Sequence, residues 1–243
     1  MKIVKLNATD STNVYLKDLV NSQSLEDYTM VVADEQTMGR GQMGTKWQSE
    51  PFKNLTFSVL KKGKGLYIAN PFLLNICVSL AVYNTLKKEF VPDLRIKWPN
   101  DILSGKCKLC GILIENIISG NQLKESIIGI GLNVNQTRFN NLPRVSSMKL
   151  LLGKTFDLDQ LLESLQIELK KIFLKLEDIG VDPLQNDYEN VLFRKDKPST
   201  FKDNEGKLIM GFIRGISDEG SLQVTLEDDV KKEFDMKDVS LLY

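Results

Sequence analysis

Three glycines fall within six residues, Gly39-Arg40-Gly41-Gln42-Met43-Gly44, and the stretches on either side both read as β-strands. Thr29 to Glu35 and Asn54 to Leu60 carry the β-branched and aromatic residues that suit a pleated sheet. The chain must therefore build a sheet with a long glycine-rich connection, running from about Gln36 to Lys53, between two of its strands. Glycine lets a backbone turn at positive φ and come close to a ligand, while Arg40 and Lys46 supply cationic donors for carboxylate or phosphate. Such a loop predicts an anion site. A second stretch, Lys97-Trp98-Pro99-Asn100-Asp101, places an amide and a carboxylate behind a proline that restricts the backbone. A nucleotide with its magnesium ion needs such a pair.

The rest of the pattern predicts an α+β fold. Asp10-Ser11-Thr12-Asn13 offers N-cap side chains to a short helix carrying Tyr15, Leu16, Leu19 and Val20. Asn70-Pro71 reads as a cap and first turn, and Leu74, Cys77, Val78, Ala81, Val82 and Leu86 continue at helical spacing to about Glu89. Strands are expected at Leu94 to Trp98, Gly111 to Ile118 and Ser126 to Asn135, with turns at Ser104-Gly105 and Gly120-Asn121. Asp157 with Gln160 starts a long amphipathic helix that Gly180 ends. From Pro198 short alternating segments, separated by Asn204-Glu205-Gly206 and Asp218-Glu219-Gly220, predict a small antiparallel β-barrel that is a packing module without a ligand of its own. The expected division is 1–192 and 193–243.

Composition removes whole classes of chemistry. The sequence contains 0 histidines, so histidine bases, Ser-His-Asp and Cys-His nucleophiles and the common zinc sites are excluded. The 3 cysteines, Cys77, Cys107 and Cys110, are too few for a disulfide framework and point to a reduced cytoplasmic setting. Lys plus Arg equals Asp plus Glu at 32 each, so no global field draws in nucleic acid. No uncharged run approaches the roughly 20 residues of a membrane span.

With both loops placed, the chain resembles the catalytic portion of biotin protein ligases. The motifs Asp10-Ser11-Thr12-Asn13, Gln36 through Trp47, Lys97 through Asp101, Lys108-Leu109-Cys110-Gly111-Ile112-Leu113 and Gly129-Ile130-Gly131-Leu132-Asn133 match in order and span nearly the whole chain. The resemblance implies a mixed β-sheet packed with helices, related to class II aminoacyl-tRNA synthetases, plus the small barrel. It implies a two-step reaction: biotin and ATP give biotinyl-5'-adenylate, and a lysine of a biotin carboxyl carrier domain then takes the biotin. A reaction of this kind needs positioning and charge stabilisation rather than a protein nucleophile, which agrees with the missing histidine.

By the same resemblance, Ser11, Thr12, Asn13 and Gln36 hold biotin's ureido end, and Gly39, Arg40, Gly41 and Gln42 cover the carboxylate and phosphate. Lys108 contacts both anions and is, with Arg40, the catalytic residue. Asn100 and Asp101 hold the triphosphate and magnesium, Trp47 and Asn133 flank the nucleotide, and Gly111 keeps the floor open. Many relatives have a second arginine where this chain has Gln42, which implies a looser hold on the adenylate. The motifs begin almost at the amino terminus, so the expectation is a ligase without the DNA-binding domain of operon-repressing relatives, acting as monomer or homodimer. Two alternatives stand beside this reading: a lipoate or octanoate protein ligase, and a nucleotide- or adenylate-binding module without chemistry.

Overall fold

The computed structural model describes residues 2–63, 72–119, 122–140, 142–227 and 229–243. It opens with β1 (Ile3–Thr9), α1 (Thr12–Ser22) and β2 (Met30–Gln36), a crossover unit whose strands pair in parallel. There follow β3 (Leu55–Lys62), α2 (Leu73–Lys88), β4 (Leu94–Lys97), β5 (Asp101–Ser104), β6 (Cys107–Ser119) and β7 (Gln122–Leu132). These strands form one seven-stranded sheet in the order β1-β2-β3-β7-β6-β5-β4, antiparallel everywhere except at the β1–β2 edge.

Helices cover the sheet unequally. On one face α2 packs with α3 (Met148–Leu152), α4 (Leu158–Ile179) and α5 (Val181–Asn190) over a large apolar core that includes Phe57, Val59, Leu86, Ile112, Ile130 and Leu165. On the other face α1 alone covers a small cluster of Leu16, Leu25, Val31, Leu60 and Ile127. Among the described residues no helix is long and apolar enough to cross a membrane.

A second, antiparallel sheet stands where the barrel was expected. It is built from β8 (Pro198–Asp203), β9 (Leu208–Ile216), β10 (Leu222–Leu226), β11 (Lys231–Phe234) and β12 (Val239–Leu242), ordered β11-β10-β9-β8-β12. Both expected hairpin turns are present, with Gly206 at φ 86° and Gly220 at φ 92°. Phe201, Ile213 and Phe234 join the same apolar cluster as Trp98 and Tyr188. Trp98 Nε1 donates to Gly220 O at 2.9 Å, and Glu189 Oε1 accepts from Ile216 N at 3.0 Å.

The differences from expectation have local causes. β1 carries Lys5 and Asn7 and is mostly exposed, so only its pairing with β2 defines it. β5 is four residues long and entirely buried, too short to show alternation. Gly180 ends α4 but also precedes α5, because its φ of 79° turns the chain directly into a new helix. Asp157 caps α4 as expected, accepting from Asp159 N at 2.9 Å and Gln160 N at 3.0 Å. At α1 the cap residue is Ser11, yet no side chain caps it. Asn70-Pro71 and Gly120-Asn121 lie outside the described residues.

Candidate active site

The cleft lies on the α1 face, where the helix stops short of the sheet. Along an antiparallel pair alternate residues share a face, and on this face the apolar pair Leu60 and Ile127 gives way to Ser58 opposite Gly129 and then Thr56 opposite Gly131. Gly131 pairs in turn with Gly111, and Gly111 with Asp101. The glycines hold the floor low enough for three side chains to lie on it. A Cβ at Gly129 would overlap Asn13 Oδ1, and one at Gly131 would overlap the Trp47 indole. A Cβ at Gly111 would come within 3.2 Å of both Lys108 Nζ and Trp47. The cleft so formed has a volume of about 280 Å³.

Lys108 reaches this floor through an irregularity. Strict alternation would put Lys108 and Gly111 on opposite faces, but the register shifts between Ile102 and Leu103, so that Ile102 faces Cys110 while Leu103 faces Lys108. The extra residue, Leu109, forms a bulge, and a bulge re-aims the side chain beside it. Lys108 Nζ then sits 2.6 Å from Asp101 Oδ1 and 5.8 Å from the Trp47 ring centroid. The contact with Asp101 is an ion pair whose angles are not those of a hydrogen bond, and Oδ1 has no hydrogen-bond partner. Lys97 Nζ approaches Asp101 Oδ2 at 3.3 Å from across the β4–β5 hairpin, whose Trp98–Pro99 peptide is cis. Asn100 is engaged with the neighbouring strand, donating to Ile112 O at 2.6 Å.

At the other end of the cleft the residues that begin α1 form a polar network. Thr12 N donates to Gln36 Oε1 at 2.8 Å, and Asn13 Nδ2 donates to Glu115 Oε2 at 2.7 Å. Ser58 Oγ lies 2.6 Å from Asn13 Oδ1 and 2.7 Å from Thr12 Oγ1. All three residues at this helix start, Ser11, Thr12 and Asn13, are buried, and the Thr12 and Asn13 side chains are committed to the sheet below.

The glycine loop folds over these two ends as a small hairpin. Gly41 N donates to Thr45 O at 2.7 Å, Trp47 N donates to Gly39 O at 3.0 Å, and Arg40 bridges to Lys46. Between Gly39 and Trp47 positive φ is confined to Met43 (52°) and Gly44 (77°). Gly39 and Gly41 are needed instead for close approach, since a Cβ on either would stand 2.5 Å from Trp47 O or Thr45 Oγ1. Arg40 is half exposed, with Nη1 3.5 Å from Glu115 Oε1.

The structure thus brings Ser11, Thr12, Asn13, Gln36, Arg40, Gly41, Gln42, Trp47, Asn100, Asp101, Lys108 and Gly111 around one cleft. Gly39 supports the loop without lining the cavity, and Asn133 sits behind it, buried, its N donating to Leu109 O at 2.8 Å. Trp47 Nε1 and Asn133 Oδ1 are buried without partners, polar valences left open beside the cleft. Sequence reasoning passed over Ser58 and Glu115 as site residues; the period of two through Gly111, Leu113 and Glu115 was the signal for the latter. Outside the cleft lining, the Tyr243 ring lies 5.6 Å from Lys97 Nζ and 5.0 Å from Arg144 Cζ. Burial, followed by the nearby Asp101, holds the Tyr243 hydroxyl above the usual range. Burial likewise pushes the Cys110 thiol up, so this residue is an inert part of the core. Among the described residues no group of three acidic, cysteine or histidine side chains is placed to hold a metal. Asp101 already faces two ammonium groups, so the residues present do not fit a resident magnesium ion.

A family model, the Biotin/lipoate A/B protein ligase family, matches residues 6–133. The chain belongs to this family. The matched span contains every predicted site residue from Ser11 to Asn133 and leaves the C-terminal sheet outside. Family resemblance extends further in individual proteins. The bifunctional ligase/repressor BirA of Bacillus subtilis is 28% identical over 227 residues, covering 91% of this chain and 69% of the relative. The biotin–[acetyl-CoA-carboxylase] ligase of Paracoccus denitrificans is 29% identical over 225 residues, covering 89% of this chain and 91% of its own. In three dimensions, the biotin protein ligase from Aquifex aeolicus in complex with biotin and ATP superposes with a TM-score of 0.83 at 27% identity, covering 99% of this chain and 98% of that one.

Proposed function

We propose that this member of the family is a biotin protein ligase: it condenses biotin with ATP to biotinyl-5'-adenylate and transfers the biotin to a lysine of a biotin carboxyl carrier domain of acetyl-CoA carboxylase. The observation that carries the reading is the position of Lys108, brought by a bulge onto the floor of a cleft with a polar network at one end and a cationic loop above. Asp101 pairs with the ammonium by charge without taking up one of its three N–H donors. Those donors remain for the biotin carboxylate and the α-phosphate. In the first step a carboxylate oxygen bonds to the α-phosphorus as the bond to pyrophosphate breaks. Lys108 and Arg40 offset the repulsion between the two anions and the charge that gathers on the phosphoryl oxygens. In the second step the carrier amine bonds to the acyl carbon, the bond to AMP breaks, and the amine loses its proton. Neither step needs a protein nucleophile, which suits a chain with 0 histidines.

Magnesium enters this scheme with the nucleotide's phosphates rather than as a resident ion. The Trp47 indole N–H and the buried Asn133 supply the unpaired polar atoms on the nucleotide side. Hydroxyl and amide groups of Thr12, Asn13 and Gln36 favour a head group with N–H and C=O functions over the alkyl chain of an octanoate or the disulfide ring of a lipoate. We assign the ligand chemistry to 1–192 and a packing role to 193–243. No operator-binding role is proposed, and specific retardation of operator DNA would overturn that part.

The deciding experiment is ATP–pyrophosphate exchange with biotin, lipoate, octanoate or no acid. Exchange with biotin alone is expected. Exchange with lipoate or octanoate instead would replace the acid, and no exchange in folded, ATP-binding protein would leave a binding module without chemistry.

A further inference from the structure

We propose that Glu115 is the positioning residue that sets the donor–acceptor direction of the side chains around the acid's cyclic head, and so selects a head that presents an N–H group to Thr12. The inference rests on the ligase reading and deepens it. Its basis is the order in which the hydrogens must run. A carboxylate only accepts, so at the 2.7 Å contact the donor is Asn13 Nδ2, which also faces Leu113 O at 3.4 Å. With both neighbours of Nδ2 acceptors, the amide has a single orientation, and Asn13 Oδ1 must face Ser58 Oγ at 2.6 Å. An amide oxygen cannot donate, so the Ser58 hydrogen goes to Asn13. It is then not free for Thr12 Oγ1, 2.7 Å away.

Thr12 in turn has one hydrogen and two acceptors for it, Ser58 Oγ and Gln36 Oε1 at 3.2 Å. Whichever it takes, no hydroxyl hydrogen is left over. The Thr12 hydroxyl, which lines the cleft, therefore offers only a lone pair to a ligand, and Ser58, fully buried behind it, fixes that direction. Gln36 is oriented by the same logic: its Oε1 accepts from Thr12 N at 2.8 Å, which leaves Nε2 as a donor. The site is polarised to accept a hydrogen at Thr12 and to give one at Gln36, the complement of the N–H and C=O of a cyclic urea. Glu115 is the one ionised group in this chain of contacts that can impose the direction. The other charge near it is Arg40, with Nη1 3.5 Å from the second carboxylate oxygen. Without the acceptor at 115, only the longer contact to Leu113 O orients Asn13, and the Ser58 hydrogen is free to turn to Thr12 and direct the Thr12 hydrogen toward the ligand's own N–H group.

The test compares wild type, E115A and E115Q by biotin calorimetry and by KM for biotin and for ATP in pyrophosphate exchange; E115M, which keeps the side-chain length without an acceptor, serves as a second acceptor-free variant should E115A not fold. Opposed or unpaired buried dipoles predict a biotin Kd raised roughly 10- to 100-fold in E115A, with the KM for ATP within about twofold. E115Q keeps an acceptor and is expected to restore biotin affinity to within about threefold. E115Q as weak as E115A would assign the effect to the charge pair with Arg40 and overturn the inference. So would biotin and ATP KM values that rise together, or an E115A protein that binds biotin normally. Wild-type protein that binds no biotin would instead overturn the ligase reading itself, and this inference with it.

Discussion

The two faces of the seven-stranded sheet are built from the same strands and do opposite work. Odd positions of β3 and even positions of β7, such as Phe57, Val59, Ile128 and Ile130, lie against α2 and α4 in a closed apolar core. Their immediate neighbours turn to the other face, where Gly129 and Gly131 form the floor of the cleft beside the buried Thr56 and Ser58. Moving one residue along a strand exchanges packing for chemistry, because the side-chain period of a strand is two. The lesson is that a core face is specified by filling volume and a functional face by leaving it unfilled. Glycine and small polar residues on the α1 side make room for Trp47, Asn13 and Lys108 to lie flat.

Breaking the comparison from the packed side has the largest effect. Leu86 is fully buried, and Leu86→Ala is expected to lower stability by about 2–5 kcal/mol in urea unfolding while leaving the KM for biotin and ATP unchanged. A change in KM without a change in stability would mean the faces are not separate. On the open side, Lys108→Ala is expected to slow pyrophosphate exchange by roughly 100- to 1,000-fold, the scale seen when one transition-state donor is removed. Its thermal midpoint should hardly move, since the lysine is partly exposed. Gly131→Ala tests the unfilled volume directly. The added methyl must displace Trp47, and a rise of roughly tenfold in the KM for ATP is expected, with a shift in tryptophan emission.

A finer difference shows in alkaline solution. On the packed face, burial pushes the Cys77 thiol up to about 12. The folded state therefore holds that proton more tightly than the unfolded state does, so the contribution is full below the ordinary thiol range and is lost as pH rises toward about 12. Thermal melts between pH 8 and 11 should show stability falling with pH, and Cys77→Ala should reduce the slope. The smallest effect is expected in the loop. Gln42→Arg adds a charge at the cleft and should slow release of biotinyl-adenylate by a few-fold at most, roughly the scale of one exposed ion pair. An unchanged release rate would show that Gln42 does not set retention.

Much of this was legible in the residues. The helical spacing from Leu74 to Leu86 and from Leu161 to Leu176, the hairpin glycines of the second sheet and the five ordered motifs each express a local rule that needs no tertiary partner. The absence of histidine bounded the chemistry before any coordinate was known. Four features had to wait for the fold. β1 is a strand because β2 pairs with it, since its own polar residues carry no strand signal. Gly39 and Gly41 serve close approach rather than positive φ, which depends on where Trp47 and Thr45 come to rest. Asp101 meets Lys97 and Lys108 at once, which ties up the carboxylate that the motif by itself assigns to a metal. Lys108 enters the cleft only because Leu109 bulges out of register.

Sequence alone determined which elements form and which chemistry is open to them, since propensity, periodicity and side-chain inventory are properties of short stretches. Only the tertiary structure decided which face each residue takes and which charges meet. Those outcomes depend on strand register and on side chains that converge from β3, β5, β6, α1 and the glycine loop, and no local stretch of the chain encodes that convergence.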